Sequence, residues 1–143
     1  MSQPLLEVKN LKVSFHTYAG EVQAVRGVDF TLEAGKTMAI VGESGSGKTV
    51  TSKAVMGLIA SPPGEVKKES SILFEGTDIL KYTEKQWQDY RGKDAAMIFQ
   101  DPMTSLDPTM KIGRQIMESI VEHQKVGKRE AMQRAIELLK KVD

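Results

Sequence analysis

The N-terminal part of the chain alternates between hydrophobic and polar positions, as half-buried strands do. The alternation from Leu5 to Phe15 changes phase at Lys9-Asn10, which predicts a bulge or a turn between two short strands. The polar stretch from His16 to Glu21 contains Gly20 and predicts a loop. Alternation resumes from Val22 to Glu33. We therefore expect an antiparallel sheet with one exposed face at the start of the chain.

Two later segments, Thr37 to Val41 and Ala95 to Phe99, are apolar without alternation. This pattern is typical of strands that are buried on both faces, and it predicts two buried strands. A turn at Ala34-Gly35 leads into the first of them. Lys48 to Leu58 has the pattern of a helix, which Ser61-Pro62-Pro63-Gly64 would end because proline lacks the backbone donor.

The middle of the chain predicts a short strand and a capped helix. Glu65 to Ser70 is polar and is expected to be a solvated connector, and Ser71 to Glu75 has the composition of a strand. Thr83 to Gln86 has the spacing of a capping box, which predicts the start of a helix. Gly92 is expected to end that helix.

After Asp107-Pro108 the hydrophobic period changes from 2 to about 3.6 residues, which predicts two helices. Gln124 to Gly127 is expected to be the hinge between them. Their expected apolar faces carry Ile112, Ile116 and Ile120 on the first helix and Ala131, Ala135, Leu138 and Val142 on the second. The pattern is still helical at Asp143, without a glycine or proline stop, so we interpret the chain as truncated, the N-terminal fragment of a longer protein.

Composition narrows the classes of function. The 143 residues include 20 basic and 19 acidic side chains, a formal charge of +1, which gives no basic field and so no nucleic-acid partner is expected. The sequence contains no cysteine, which excludes disulfides, thiolate metal sites and iron–sulfur clusters within it. We find neither a secretory signal pattern nor an apolar run long enough to cross a membrane.

The strongest chemical signal is Gly42-Glu43-Ser44-Gly45-Ser46-Gly47-Lys48-Thr49, which fits the phosphate-loop pattern G-x-x-x-x-G-K-[ST]. Glycines allow the backbone N–H groups to approach phosphates closely, and the following helix points its positive end at the anion. Lys48 is then expected to reach the β- and γ-phosphates, and the Thr49 hydroxyl to ligate Mg²⁺. A Gly-Ser linker is the alternative interpretation, but linkers do not lie between two apolar elements. The predicted nucleotide-binding residues of this loop are Gly42, Glu43, Ser44, Gly45, Ser46, Gly47, Lys48, Thr49 and Val50.

This phosphate loop, its apolar flanks, the N-terminal strands with Phe15, and Met97-Ile98-Phe99-Gln100-Asp101-Pro102 together resemble the nucleotide-binding subunits of ATP-binding cassette (ABC) transporters. Within that family, Phe99 to Pro108 is similar to the form found in subunits that energise oligopeptide and dipeptide uptake. The subunits for nickel uptake are also similar and remain an alternative.

The resemblance implies an α/β fold, a P-loop NTPase core with an N-terminal antiparallel β-subdomain and the start of a helical subdomain. The corresponding ranges are 1–36, 37–108 and 109–143. Phe15 matches the aromatic residue that stacks on adenine, and Tyr18 is the second candidate. Gln100 matches the Q-loop glutamine, which touches Mg²⁺ or the attacking water. The implied catalytic residues are Lys48 and Gln100, and the implied magnesium ligands are Thr49 and Gln100.

The implied function is to couple ATP binding and hydrolysis to peptide import, with ATP and Mg²⁺ as cofactors. Two such subunits would sandwich ATP and contact transmembrane permease subunits through the Q-loop region. A substrate-binding protein outside the cytoplasm would take part indirectly. The expected location is peripheral, at the cytoplasmic face of the inner membrane.

Hydrolysis in this family also requires an apolar strand ending in Asp-Glu, a Leu-Ser-Gly-Gly-Gln signature and a switch histidine, and the sequence contains no match to them. Glu75 follows an apolar strand but precedes Gln100 and lacks the acidic pair, Asp143 is at a helix end, and His16 and His123 are interpreted as surface residues. We therefore expect the chain to bind nucleotide weakly and not to hydrolyse it. The alternatives are a structural ABC ATPase of the chromosome-maintenance type, a small P-loop kinase and a truncated interaction module.

Overall fold

A computed structural model describes residues 3–101 and 105–142 of the protein. It divides into two units, Met1–Trp87 and Gln88–Asp143. The first unit contains a sheet and the phosphate loop, and the second contains a pair of helices. The predicted division into 1–36, 37–108 and 109–143 stays a prediction.

The first unit is built on a long antiparallel hairpin of β1 (Leu6–Thr17) and β2 (Gly20–Leu32). Its ladder is interrupted between Val8 and Leu11, where Asn10 adopts a φ of 47°, so the predicted bulge is confirmed. The predicted loop from His16 to Glu21 is too long, because His16 and Glu21 pair with each other in the ladder. The turn itself is only Tyr18-Ala19.

Three shorter strands complete this sheet: β3 (Gly64–Val66), β4 (Ser71–Phe74) and β5 (Thr77–Asp78). Both β3 and β4 pair antiparallel with β1, and β5 pairs with β4. The prediction that Glu65 to Ser70 is only a connector is therefore wrong at Glu65 and Val66. β4 pairs with β1 from Leu6 to Lys9. The same edge of β1 is therefore available further along the strand, where Val13 to Phe15 pair with β3.

The core of the first unit lies on one face of the sheet, against the helix that follows the phosphate loop, α1 (Lys48–Val55). The fully buried hydrophobic side chains are Val8, Leu11, Val13, Ile72 and Ile79, and Ala54 of α1 is almost as buried. On β2, Val28 and Phe30 are half-buried while Asp29 and Thr31 are exposed, which confirms the predicted alternation.

The two predicted buried strands are wrong. Neither Thr37 to Val41 nor Ala95 to Phe99 is part of a strand, and Val41 and Ile98 are 91% and 98% exposed. A buried strand needs a neighbour on each side to take its backbone hydrogen bonds. In residues 3–101 and 105–142 the paired strands all belong to the antiparallel sheet around β1, and the second segment makes only an isolated bridge, between Ala95 and Arg91.

The predicted capping box opens α2 (Glu84–Lys93). The Thr83 N–H donates to Gln86 Oε1 at 2.9 Å, and the Gln86 N–H donates back to Thr83 Oγ1 at 3.4 Å. Trp87 of this helix packs edge-on to Tyr82, with ring centroids 5.6 Å apart. The helical dihedral angles end at Arg91 and Gly92, where φ of Gly92 is 97°, as predicted.

The Thr83→Ala substitution is expected to lower the free energy of unfolding by about 1 kcal/mol, because it removes the hydroxyl that caps α2. Urea unfolding followed by circular dichroism measures the loss. Thr83→Ser is the matched control, because it keeps the hydroxyl and should stay within about 0.5 kcal/mol of the parent. Equal losses in both variants would assign the effect to the methyl group and count against the cap.

The second unit contains α3 (Ile112–Gln124) and α4 (Lys128–Lys141), joined at the predicted hinge. Ile120 packs with Ala131 and Ala135 between them, as predicted. Of the other predicted core positions, Ile116 packs partly against this cluster, whereas Ile112, Leu138 and Val142 are exposed. They lie at the helix ends, beyond the contact that the two helices make with each other. In the part of the chain that the structure describes, no helix is long and apolar enough to cross a membrane.

Candidate nucleotide-binding site

The phosphate loop leads directly into α1, whose N-cap is Gly47. Gly45 and Gly47 have φ values of 78° and 89°, a left-handed conformation that disfavours residues with a Cβ. The cap contributes no side-chain hydrogen bond, and the first turn contains no acidic residue. The first N–H groups of α1 therefore have no intrahelical partner and form the electropositive end of the helix.

The loop rests on strand β2 at Gly47. A Cβ at Gly47 would lie 2.6 Å from the carbonyl oxygen of Ala24 and 3.3 Å from a methyl group of Val25. A Cβ at Gly42 would lie 2.6 Å from Ser46 Oγ, inside the loop itself. Glycine at position 47 is thus favoured both by a close contact with backbone and by a left-handed conformation, whereas at Gly42 the close contact is with a serine side chain alone.

Lys48 folds back over the loop that precedes it. Its Nζ donates to the carbonyl oxygens of Gly42 and Glu43, each at 2.7 Å, and lies 3.4 Å from Ser46 Oγ. The backbone of the loop thereby holds the ammonium group at the N-terminus of α1. A positive charge, a helix N-terminus and a glycine loop in one place form a site for a multiply charged anion.

The residues present fit a nucleotide phosphate chain and its metal ion. The loop supplies backbone donors and a cation, which match phosphate oxygens. The roles of Gly42 to Val50 in binding a nucleotide stay predictions. Thr49 is exposed in the first turn of α1 and offers a hydroxyl oxygen, the kind of ligand that Mg²⁺ accepts. These residues would hold the phosphates and the Mg²⁺ ion.

The two candidate adenine-stacking residues differ in exposure. Phe15 is half-buried in β1, and its ring lies 3.2 Å from where a Cβ of Gly64 would be. Tyr18 lies at the hairpin turn with its side chain fully exposed. Part of the Phe15 ring is therefore in contact with β3, and the role of either residue in stacking stays a prediction.

Gln100 is exposed and belongs to the second unit, whereas Lys48 and Thr49 belong to the first. Its predicted roles in catalysis and in Mg²⁺ binding stay predictions. Three residues of the segment similar to peptide-uptake subunits, Pro102 to Thr104, lie outside the described residues, as does Asp143.

His123 is half-buried, and its ring fills the place that a Cβ of Gly92 would take, so it is not the solvated surface residue that was predicted.

Sequence reasoning missed an ion-pair cluster on the sheet. Lys67 Nζ lies 2.8 Å from a carboxylate oxygen of Glu21 and 2.7 Å from one of Glu65, and His16 Nε2 lies 2.8 Å from Glu65. Hydrogen bonds from Lys67 hold the pKa values of Glu21 and Glu65 below their usual range, and these two carboxylates raise the pKa of Lys67. The ligand atoms of His16, Glu21 and Glu65 lie within 4.8 Å of one another, but the Lys67 ammonium already pairs with an oxygen of each carboxylate. We therefore interpret the cluster as a structural ion-pair network.

Replacing Lys67 with methionine is expected to raise the pKa values of Glu21 and Glu65 toward 4.5. Because the folded pKa values lie below the unfolded value, the ion pairs stabilise the fold above about pH 4.5 and lose their effect as the pH falls through the folded pKa values. The stability difference between parent and variant should therefore shrink on acidification. NMR titration of the side-chain carboxyl carbons measures the pKa values, with Lys68→Met as the neighbouring control. Unchanged titration of both glutamates in Lys67→Met would show that Lys67 is not their partner.

Comparisons with known proteins agree with the geometry of the loop. A family model described as ABC transporter matches residues 25–143. The chain is 60% identical over 138 residues to the oligopeptide transport ATP-binding protein OppD of Bacillus subtilis, covering 96% of this chain and 38% of that protein. It is 56% identical over 141 residues to the dipeptide transport ATP-binding protein DppD of Lactococcus lactis, covering 98% of this chain and 40% of that protein. The OppD protein of Salmonella typhimurium is 46% identical over 135 residues, which are 94% of this chain and 39% of that protein.

The chain thus spans about two fifths of the length of these relatives. The expected resemblance and the α/β ABC ATPase fold class are confirmed. Nucleotide binding is the property that this ATPase domain implies, and the loop from Gly42 to Thr49 lies within the matched residues. Because the family model matches most of the chain and the alignment with OppD of Bacillus subtilis covers 96% of it at 60% identity, the chain belongs to the ABC transporter family.

Proposed function

We propose that this chain is the nucleotide-binding part of an ATPase subunit that couples ATP binding and hydrolysis to the import of dipeptides and oligopeptides. The observation that supports it most is the Lys48 ammonium, held 2.7 Å from two loop carbonyls at the uncapped N-terminus of α1. The names of the relatives, which are oligopeptide and dipeptide transport ATP-binding proteins, support the substrate class.

Different residues of the chain would bind different parts of the nucleotide. The backbone N–H groups of the loop orient the phosphates, and Lys48 donates to their oxygens and neutralises charge, which is most of what phosphoryl transfer requires. Mg²⁺, when bound, supplies further charge neutralisation, with Thr49 and Gln100 as its proposed ligands. Gln100 would also orient the attacking water, and Phe15, or Tyr18 in its place, would stack on the adenine ring.

The partners follow from the same proposal. A second nucleotide-binding subunit would complete the ATP site, and permease subunits would contact the segment around Gln100. A substrate-binding protein outside the cytoplasm would deliver the peptide. The subunit would work at the cytoplasmic face of the inner membrane, as a peripheral protein. No match to an Asp-Glu strand end or a Leu-Ser-Gly-Gly-Gln signature occurs in the 143 residues, so we expect them to bind ATP without turnover.

Uptake assays test the proposal and separate it from the nickel alternative. Uptake of labelled dipeptides, oligopeptides and Ni²⁺ is measured in cells with and without the gene that encodes this chain. Loss of peptide uptake with normal Ni²⁺ uptake is the expected result. Loss of Ni²⁺ uptake alone would favour the alternative, and loss of neither would overturn the assignment to import of these substrates.

A further inference from the structure

One side-chain amide at the start of α3 is bonded entirely to the backbone of the preceding turn. Gln115 Oε1 accepts from the Asp107 N–H at 2.9 Å. Gln115 Nε2 donates to the carbonyl oxygens of Asp107 and Met110, both at 2.9 Å. The amide thus spans the turn from one end to the other.

The turn is also closed by its own residues. Asp107 Oδ1 accepts from the Thr109 N–H at 2.8 Å and from Thr109 Oγ1 at 2.6 Å, and the Met110 N–H lies 3.2 Å from the Asp107 carbonyl oxygen. These bonds fix the conformation of residues 107–110, while the bonds from Gln115 attach this fixed turn to the helix. The two sets of bonds therefore have different consequences when they are lost.

We call the hydrogen bonds between the Gln115 amide and the Asp107–Met110 turn the brace. Their chemistry requires glutamine. One acceptor and two donors are needed to match one N–H and two carbonyl groups. Glutamate would offer acceptors only, and leucine would offer neither, so each would leave partners of the turn unmatched. The N-cap of α3, Lys111, makes no side-chain capping bond, and the Gln115 amide instead links this helix start to the turn.

We infer that Gln115 is a positioning residue that joins the Asp107–Met110 turn to α3, so that turn and helix move as one body. The turn lies in the segment that follows Gln100 in the chain. The functional consequence rests on the proposed function. A partner that displaces α3 would displace this turn with it, whereas a turn without the bonds from Gln115 would change its conformation instead.

Amide hydrogen exchange of the 143-residue chain, followed residue by residue by NMR, tests the brace. In Gln115→Leu the Asp107 amide is expected to exchange about tenfold faster, the effect of losing a bond of about 1.4 kcal/mol. The Ile120 amide in the α3–α4 core should keep its rate. Gln133→Leu is the matched control, because its Nε2 donates to Glu137 within the same helix, at 3.1 Å, and not to a turn.

A second variant separates positioning from general stability. Gln115→Glu keeps the length of the side chain but places a carboxylate oxygen against the carbonyl oxygens of Asp107 and Met110, so the Asp107 amide should again exchange faster than in the parent while Ile120 keeps its rate. A parent-like Asp107 rate in Gln115→Glu would count against the inference. An unchanged Asp107 rate in Gln115→Leu would overturn the inference, and so would an equal rise at Asp107 and Ile120. If Gln115→Leu does not fold, scalar couplings across the hydrogen bonds from the Gln115 amide nitrogen to the Asp107 and Met110 carbonyl carbons decide the question in the parent. Their absence would overturn the brace.

Failure of the brace and failure of the proposed function can be told apart. The exchange and coupling measurements contain no nucleotide, so their results do not depend on ATP binding. Titration of Mg-ATP into the parent tests the proposed function alone. A parent that binds no ATP but keeps a protected Asp107 amide would overturn the function and support the brace.

Discussion

Replacing Lys48 with alanine is expected to weaken Mg-ATP binding at least tenfold, a loss of about 1.4 kcal/mol or more. The ammonium group is the cation that the loop holds at the N-terminus of α1, 2.7 Å from the carbonyl oxygens of Gly42 and Glu43. Its removal takes away a donor to the phosphates and also leaves two carbonyl dipoles without their cationic partner. Calorimetric titration of Mg-ATP into parent and variant measures the difference.

Lys53→Ala is the matched control for this experiment. Lys53 lies in the last turn of the same helix, away from the loop, so its loss changes the net charge by the same amount without touching the site. It should bind Mg-ATP within about threefold of the parent if charge at the loop is what matters. Equal weakening in the two variants would mean that the nucleotide responds to overall charge, and the assignment of Lys48 would then be wrong.

Measuring the unfolding of Lys48→Ala as well as its Mg-ATP binding shows whether the substitution acts at the loop alone or also on the fold. Lys48 is half-buried, and the hydrogen bonds of its side chain go to the loop, so Lys48→Ala should leave the unfolding midpoint of the sheet nearly unchanged. Weak binding with unchanged unfolding would locate the effect at the site. A large drop in unfolding midpoint would show instead that the loop helps to hold the first unit together.

The features that could be predicted from sequence are those whose information is local. The bulge at Asn10, the capping box of Thr83 and Gln86, and the hinge near Lys125 each depend on residues a few positions apart. The phosphate loop is predictable for the same reason, because its donors, its cation and its helix N-terminus come from consecutive residues. Contacts of this kind involve residues close together in the sequence, so the sequence pattern alone predicts them.

The features that could not be predicted depend on partners far along the chain. Hydrophobicity at Thr37 to Val41 and at Ala95 to Phe99 indicates a need for burial, but it does not say which strands would pair with them. The Glu21–Lys67 contact forms only because β2 and β3 both pair with β1. The Gln115 brace joins a helix to a turn whose conformation is set by Asp107, and glutamine on a helix surface has no pattern that signals it.

The contact between the loop and β2 leads to the second large effect, which concerns Gly47. Gly47→Ala is expected to destabilise the first unit by about 2–5 kcal/mol, combining about 1–2 kcal/mol for a side chain in left-handed conformation with about 1–3 kcal/mol for overpacking. The added Cβ would lie 2.6 Å from the Ala24 carbonyl oxygen, and backbone can move away only by disturbing the β1–β2 ladder. Urea unfolding measures the loss of stability.

Gly45→Ala isolates the cause of this loss. Gly45 has nearly the same φ, 78° against 89°, but a Cβ there would meet nothing within 4 Å. It should therefore lose only the conformational part, about 1–2 kcal/mol. The difference between the two losses of unfolding free energy measures the contribution of the contact between the phosphate loop and β2. If Gly45→Ala and Gly47→Ala lose equal stability, backbone conformation alone explains both glycines, and the loop is not held by β2. If only Gly47→Ala shows the extra loss, the position of the Lys48 ammonium depends on the same sheet that forms the core, so core substitutions on β2 should weaken nucleotide binding too.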